Sequence, residues 1–162
     1  MNYSDKKVYC TAGVDHVLLY PNGDVYRCMN DYNNKARPLF NAINGWNCFK
    51  KVMSCLHDSC PAMCDRYATK YVFESGQKKP KVFRDQEIED QARINSIDDL
   101  DNFKSNEVHI IWAPTLFCNY TCQYCGCAKG QYAIKEEFPS SYPELSPQEW
   151  EKVWGRIYDI YD

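Results

Sequence analysis

Glu107-Val108-His109-Ile110-Ile111-Trp112-Ala113-Pro114, and after it Cys118-Asn119-Tyr120-Thr121-Cys122-Gln123-Tyr124-Cys125, is the stretch from which the rest of the chain is read. Residues 107–113 are apolar at odd and even positions alike, the pattern of a strand buried on both faces in a parallel sheet. Pro114 ends the strand because it has no N–H to give to a ladder. His109, inside the run, reads as a packed core histidine rather than a ligand. The loop that follows spaces three cysteines as C-x3-C-x2-C. Three thiolates this close suit three irons of a [4Fe–4S] cluster and leave the fourth iron open to a small molecule. Zinc would want a fourth ligand in tetrahedral geometry. Cys127 is cramped for that role and reads as a neighbouring thiol.

Downstream, Ser146-Pro147-Gln148-Glu149 is a capping box, with Ser146 as N-cap and Pro147 at the first helical position. Trp150, Val153, Trp154, Ile157 and Tyr161 then form one apolar helical stripe. The second half is thus strand, cysteine loop, helix. One such unit cannot bury its own faces.

Cysteine is the compositional outlier, with ten in 162 residues. They fall into two groups, Cys10, Cys28, Cys48, Cys55, Cys60 and Cys64, then Cys118, Cys122, Cys125 and Cys127, with 53 residues between. Two groups predict two metal sites. The first residues, Met1 to Val8, hold no apolar signal-peptide core, so the chain reads as cytoplasmic, where thiols stay reduced and bind metal more often than they pair. A net charge of −3 offers no basic excess for a nucleic-acid groove, and no apolar run is long enough to span a membrane.

Residues 14–28 read as a β-hairpin: an apolar run from Val14 to Tyr20, a turn at Pro21-Asn22-Gly23-Asp24, and a return strand at Val25-Tyr26. It would bring Cys10 and Cys28 towards one another. The Asn-rich stretch 29–47 is loop-like. Cys60-Pro61-Ala62-Met63-Cys64 looks like the start of a helix running to about residue 73. Residues 74–106 mix opposite charges with few large apolar residues and read as a linker with one short exposed helix near 85–94.

The strand, the C-x3-C-x2-C loop and Tyr124 just before its third cysteine resemble the signature of the radical S-adenosylmethionine superfamily. That resemblance implies that Cys118, Cys122 and Cys125 hold a [4Fe–4S] cluster at the mouth of a partial (β/α)6 barrel. S-adenosylmethionine would chelate the open iron, with Tyr124 beside the adenine. Its reductive cleavage would release a 5′-deoxyadenosyl radical for hydrogen abstraction. It also implies an electron donor such as flavodoxin or ferredoxin.

The pattern C-x12-G-x4-C from Cys10 to Cys28, with Cys55, Cys60 and Cys64 downstream, resembles the SPASM or twitch auxiliary-cluster domains of such oxidoreductases. The ligands implied for an auxiliary [4Fe–4S] cluster are Cys10, Cys28, Cys60 and Cys64, with Cys55 the substitute and Cys48 a spare thiol. The expected class is α/β, α+β overall. Residues 1–73 form a small hairpin-plus-helix auxiliary domain, 74–106 a linker and 107–162 the first strand, loop and helix of the barrel. Six βα units need about 180 residues, so the expectation is a fragment or one part of a split enzyme. Relatives with such domains often modify peptides or proteins, which makes those the substrate expectation. The alternative is a non-enzymatic module, either zinc-stabilised or an iron–sulfur electron carrier. His16 and His57 read as surface or core residues rather than catalysts, and His57 is noted for its closeness to Cys55 and Cys60.

Overall fold

Val17, Leu18 and Leu19, then Val25 after a Pro-Asn-Gly-Asp turn, make the expected hairpin in a computed structural model that describes residues 6–57, 60, 68–83, 96, 98–103, 108–114 and 143–161. In chain order the strands are β1 (Lys7–Cys10), β2 (His16–Leu19), β3 (Asp24–Tyr26), β4 (Phe40–Asn41), β5 (Met53–Ser54), β6 (Lys70–Phe73), β7 (Lys81–Phe83) and β8 (His109–Trp112). The helices are α1 (Met29–Asn33) and α2 (Pro147–Tyr161), with a 3-10 turn at Asp98–Asn102. The described residues form a mixed α/β structure with two four-stranded sheets, ordered β5-β1-β6-β7 and β4-β3-β2-β8.

The hairpin turn closes because Gly23 takes φ +82°, a region that a side chain disfavours. The Asn22 side chain holds the turn, accepting from the Asp24 N–H at 3.0 Å and donating to Asp24 Oδ2 at 2.7 Å. In the first sheet β6 lies antiparallel to β1 with Val8 opposite Val72 and Tyr9 opposite Tyr71. This corrects the helix expected up to residue 73: its last four residues are a strand. Tyr71, Val72 and Phe73 are aromatic or β-branched, types that fit a pleated, half-buried surface. The helix start at Cys60–Cys64 and the short helix near 85–94 lie outside the described residues, Cys60 excepted.

The segment expected as a linker supplies β7 and the 3-10 turn, and its Leu100 and Phe103 are buried with Val14, Val52, Tyr71 and Phe73. The second sheet joins both halves of the chain. Strand β8 runs parallel to β2, with Val17 opposite Ile110 and Leu19 opposite Trp112. The parallel pairing agrees with the sequence pattern, but the burial is shallower than expected. His109, Ile110 and Ile111 are half-buried and Trp112 is 43% exposed. Among the described residues β8 pairs only with β2, and its Trp112 ring packs edge-on against Trp150 and Trp154 of α2.

Helix α2 begins as its capping box requires. The Ser146 N–H donates to Glu149 Oε2 at 2.8 Å, and the Glu149 N–H donates to Ser146 Oγ at 3.3 Å. The Ser146 N–H and hydroxyl hold the Glu149 carboxyl below its ordinary range. Val153 and Ile157 face the sheet and bury Val17, Leu19, Val25 and Ala42. Arg156 donates to the carbonyls of Ala42 and Ile43, tying the helix to the strand that ends at Asn41. Among the described residues no helix is long and apolar enough to cross a membrane.

Candidate metal centre

The alternation of a strand sets the site. Along β1, Tyr9 packs with the Tyr71 and Phe73 cluster, while Val8 and Cys10 lie on the other face, Val8 against Val72, Cys55 and Cys60. The chain then leaves the first sheet through residues 11–15. Thr11 continues the pairing with Thr69, donating its N–H to the Thr69 carbonyl at 3.0 Å and accepting the Thr69 N–H on its hydroxyl at 2.9 Å. Gly13 makes the bend at φ +90°, and a Cβ there would stand 2.6 Å from the Phe49 ring. Only glycine suits that place.

The hairpin carries the chain back to Cys28, the residue that opens α1. Cys10 and Cys28 end in one buried cluster with Ala12 and Ala68, as the hairpin reading anticipated. Cys55 is fixed by its own N–H, which donates to the Val8 carbonyl at 2.7 Å. Cys10, Cys28, Cys55 and Cys60, from the end of β1, the start of α1 and the connection after β5, line one pocket together with His57, Arg27 and Lys70. None of the five described cysteines is in a disulfide.

Arg27 is the unexpected member. It is 6% exposed, and its guanidinium donates to three backbone carbonyls, those of Ala12 at 3.1 Å, Ser54 at 2.9 Å and Met53 at 3.1 Å. Carbonyls satisfy its hydrogens but do not neutralise its charge. A buried cation without a counter-charge is costly. No carboxylate is salt-bridged to Arg27 among the described residues. Thiolates in the adjoining pocket would supply the counter-charge. Burial pushes the Cys10 thiol up to about 11, with the Ala12 N–H, Lys70 and Arg27 pulling the other way. In metal-free protein Cys10 is therefore a neutral thiol, and a metal bound there would have to displace its proton.

Asp31 lies one turn into α1 from Cys28. It is 8% exposed, and its Oδ1 is 2.6 Å from His57 Nε2. Cys28, Asp31 and His57 together place a sulfur, a carboxylate oxygen and a ring nitrogen within 4.8 Å of one another. The donor set fits a thiolate-preferring metal: four sulfurs and one imidazole, with a buried cation beside them.

Of the residues expected from sequence, Cys10, Cys28, Cys60 and the substitute Cys55 meet at this pocket. Cys64 lies outside the described residues, as do Cys118, Cys122, Tyr124, Cys125 and Cys127. Cys48 packs in the other core, against α2, where burial raises its thiol to about 11. Asp31 and Arg27 carried no sequence signal of their own. The spacing Cys28-x2-Asp31 on a helix start and Cys55-x-His57 on a short connection could have pointed to the group. The chain matches no family model, no curated protein and no solved structure.

Proposed function

We propose that this chain is the iron–sulfur portion of a radical S-adenosylmethionine enzyme. Its auxiliary [4Fe–4S] cluster is held in the pocket of Cys10, Cys28, Cys55 and Cys60, and its S-adenosylmethionine cluster by Cys118, Cys122 and Cys125. The observation that carries the reading is the convergence of four cysteines from three segments on one pocket beside a buried arginine. Their spread favours a cluster over a single ion. Two thiolates on one tetrahedral zinc stand about 3.8 Å apart. Among the described residues no three cysteine sulfurs lie within 4.8 Å of one another. A cluster spreads its thiolates over the corners of a larger core. Strand β8 lies parallel to β2 with α2 packed on the same sheet, which is compatible with the opening βα unit of a partial (β/α)6 barrel.

When bound, the S-adenosylmethionine cluster supplies the electron for reductive cleavage of the cofactor. The chain's own residues bind and tune. Val8 and Ala12 line the auxiliary pocket and keep it poor in water, and Arg27 and Lys70 offset the negative charge of the thiolates. The substrate class is a peptide or protein, the electron donor a flavodoxin or ferredoxin, and the compartment the cytoplasm.

The test is electron paramagnetic resonance on protein loaded with iron and sulfide under anaerobic conditions. S-adenosylmethionine is expected to shift one reduced-cluster signal. Cys122→Ala removes that response and keeps the auxiliary signal. Protein from anaerobic cells that carries zinc and no iron refutes the reading.

A further inference from the structure

The group of Cys28, Asp31 and His57 has an internal order. Asp31 Oδ1 and His57 Nε2 are 2.6 Å apart, whereas two light-atom ligands on one tetrahedral ion stand about 3.4 Å apart. The two side chains are therefore bonded to each other and not poised as a pair on one ion. An ionised carboxylate only accepts, so against it Nε2 is the donor, and in the neutral ring that leaves the lone pair on Nδ1. A histidine whose second ring nitrogen donates to a carboxylate is the usual form of a metal-binding histidine, with ring orientation and tautomer both fixed. His57 also lines the cysteine pocket. A ring nitrogen of His57 and the Cys28 sulfur lie within 4.8 Å of one another, and Cys10, Cys55 and Cys60 stand outside that group.

We infer that His57 is a ligand of the centre in the cysteine pocket. Its Nδ1 bonds one metal atom on the Cys28 side of the pocket in place of one of the four thiolates, so that each iron keeps a single terminal ligand, and Asp31 is the positioning residue that holds the ring. The inference rests on the reading that the pocket holds metal, and it departs from the all-cysteine shell expected from sequence. A neutral imidazole gives its lone pair without releasing a proton and adds no negative charge. Histidine ligation raises the reduction potential of an iron–sulfur centre relative to thiolate alone.

The test uses the full chain, loaded with iron and sulfide, with Cys118, Cys122 and Cys125 replaced by Ala so that only the pocket centre contributes. Pulsed electron paramagnetic resonance of the reduced centre is expected to show the coupling of a directly bound imidazole nitrogen. The coupling changes to the 15N pattern when the three histidines, His16, His57 and His109, are labelled. His57→Ala removes it, keeps the iron and lowers the potential. Asp31→Asn alters the coupling and weakens metal retention by about 10–100-fold, and Asp31→Glu recovers both. A reduced centre with no nitrogen coupling in the labelled parent, or one whose coupling survives His57→Ala, overturns the inference and leaves the thiolate centre standing. A chain that takes up no iron overturns the inference and the metal reading together.

Discussion

Replacing Arg27 by Met tests whether the buried cation belongs to the fold, to the metal centre, or to both. Met keeps the apolar stem and removes the guanidinium. Three hydrogen bonds are lost, to the carbonyls of Ala12, Met53 and Ser54. Bonds from a charged donor are worth about 1.5–3 kcal/mol each. Against this, the variant no longer desolvates a guanidinium, which returns several kcal/mol. The net loss expected is about 2–4 kcal/mol, the range for breaking a buried network. For a chain of this length that corresponds to a fall in Tm of about 5–15 °C. The assay is thermal unfolding of metal-free and iron-loaded protein, side by side. The loaded form is expected to lose more, because there the cation also faces bound thiolates. Arg27→Lys restores the charge but not the three-pronged geometry, so it should recover that extra loss more than the common one. A Tm within about 2 °C of the parent in both forms, or a loaded form that loses less than the metal-free one, refutes the reasoning.

Three other perturbations probe the turn, the helix packing and the buried thiols. Gly23→Ala forces a side chain into φ +82° with its Cβ 3.1 Å from Asn41 Oδ1 and 3.2 Å from Leu145 Cδ1; a loss of about 1–2 kcal/mol in urea unfolding is expected. Ile157→Ala, beneath α2 at 7% exposure, should cost about 2–4 kcal/mol by the same assay. In metal-free protein, Cys10 and Cys48 are raised from 9.0 to about 11 by burial. The unfolded chain releases these protons first, so their contribution is complete below pH 9 and is lost as pH rises towards 11. Urea midpoints measured across that window should fall, and Cys48→Ala should flatten the fall.

What could be read from sequence was local. The capping box at Ser146 and Glu149 and the turn around Gly23 are set by residues within four positions of one another, and both stand as expected. What could not be read depends on distant partners. Tyr71, Val72 and Phe73 are strand residues because β1, more than sixty residues earlier, pairs with them. Leu100 and Phe103 lie among acidic residues that suggested a linker, yet a core elsewhere in the chain buries them. His109–Trp112 carried the right parallel signal, but not that its partner would be β2 of the hairpin. At the site, the cysteine pattern picked out Cys10, Cys28 and Cys60. Cys55 ranked only as a substitute, because its place in the pocket comes from a backbone bond to Val8. Arg27 had no pattern to betray it, since its role arises only from what packs around it.

The proposal stands or falls on whether the first cysteine group builds an iron–sulfur centre separate from the second. Iron and acid-labile sulfide per chain, measured on protein loaded under anaerobic conditions, test this most directly. Four variant sets are compared: the parent, Cys10→Ala with Cys28→Ala, the triple Ala replacement of Cys118, Cys122 and Cys125, and both sets combined. About eight irons are expected in the parent, about four in each partial variant and essentially none in the combined one, as two four-iron clusters require. An iron count unchanged by losing Cys10 and Cys28, or zinc in place of iron at their site, contradicts it.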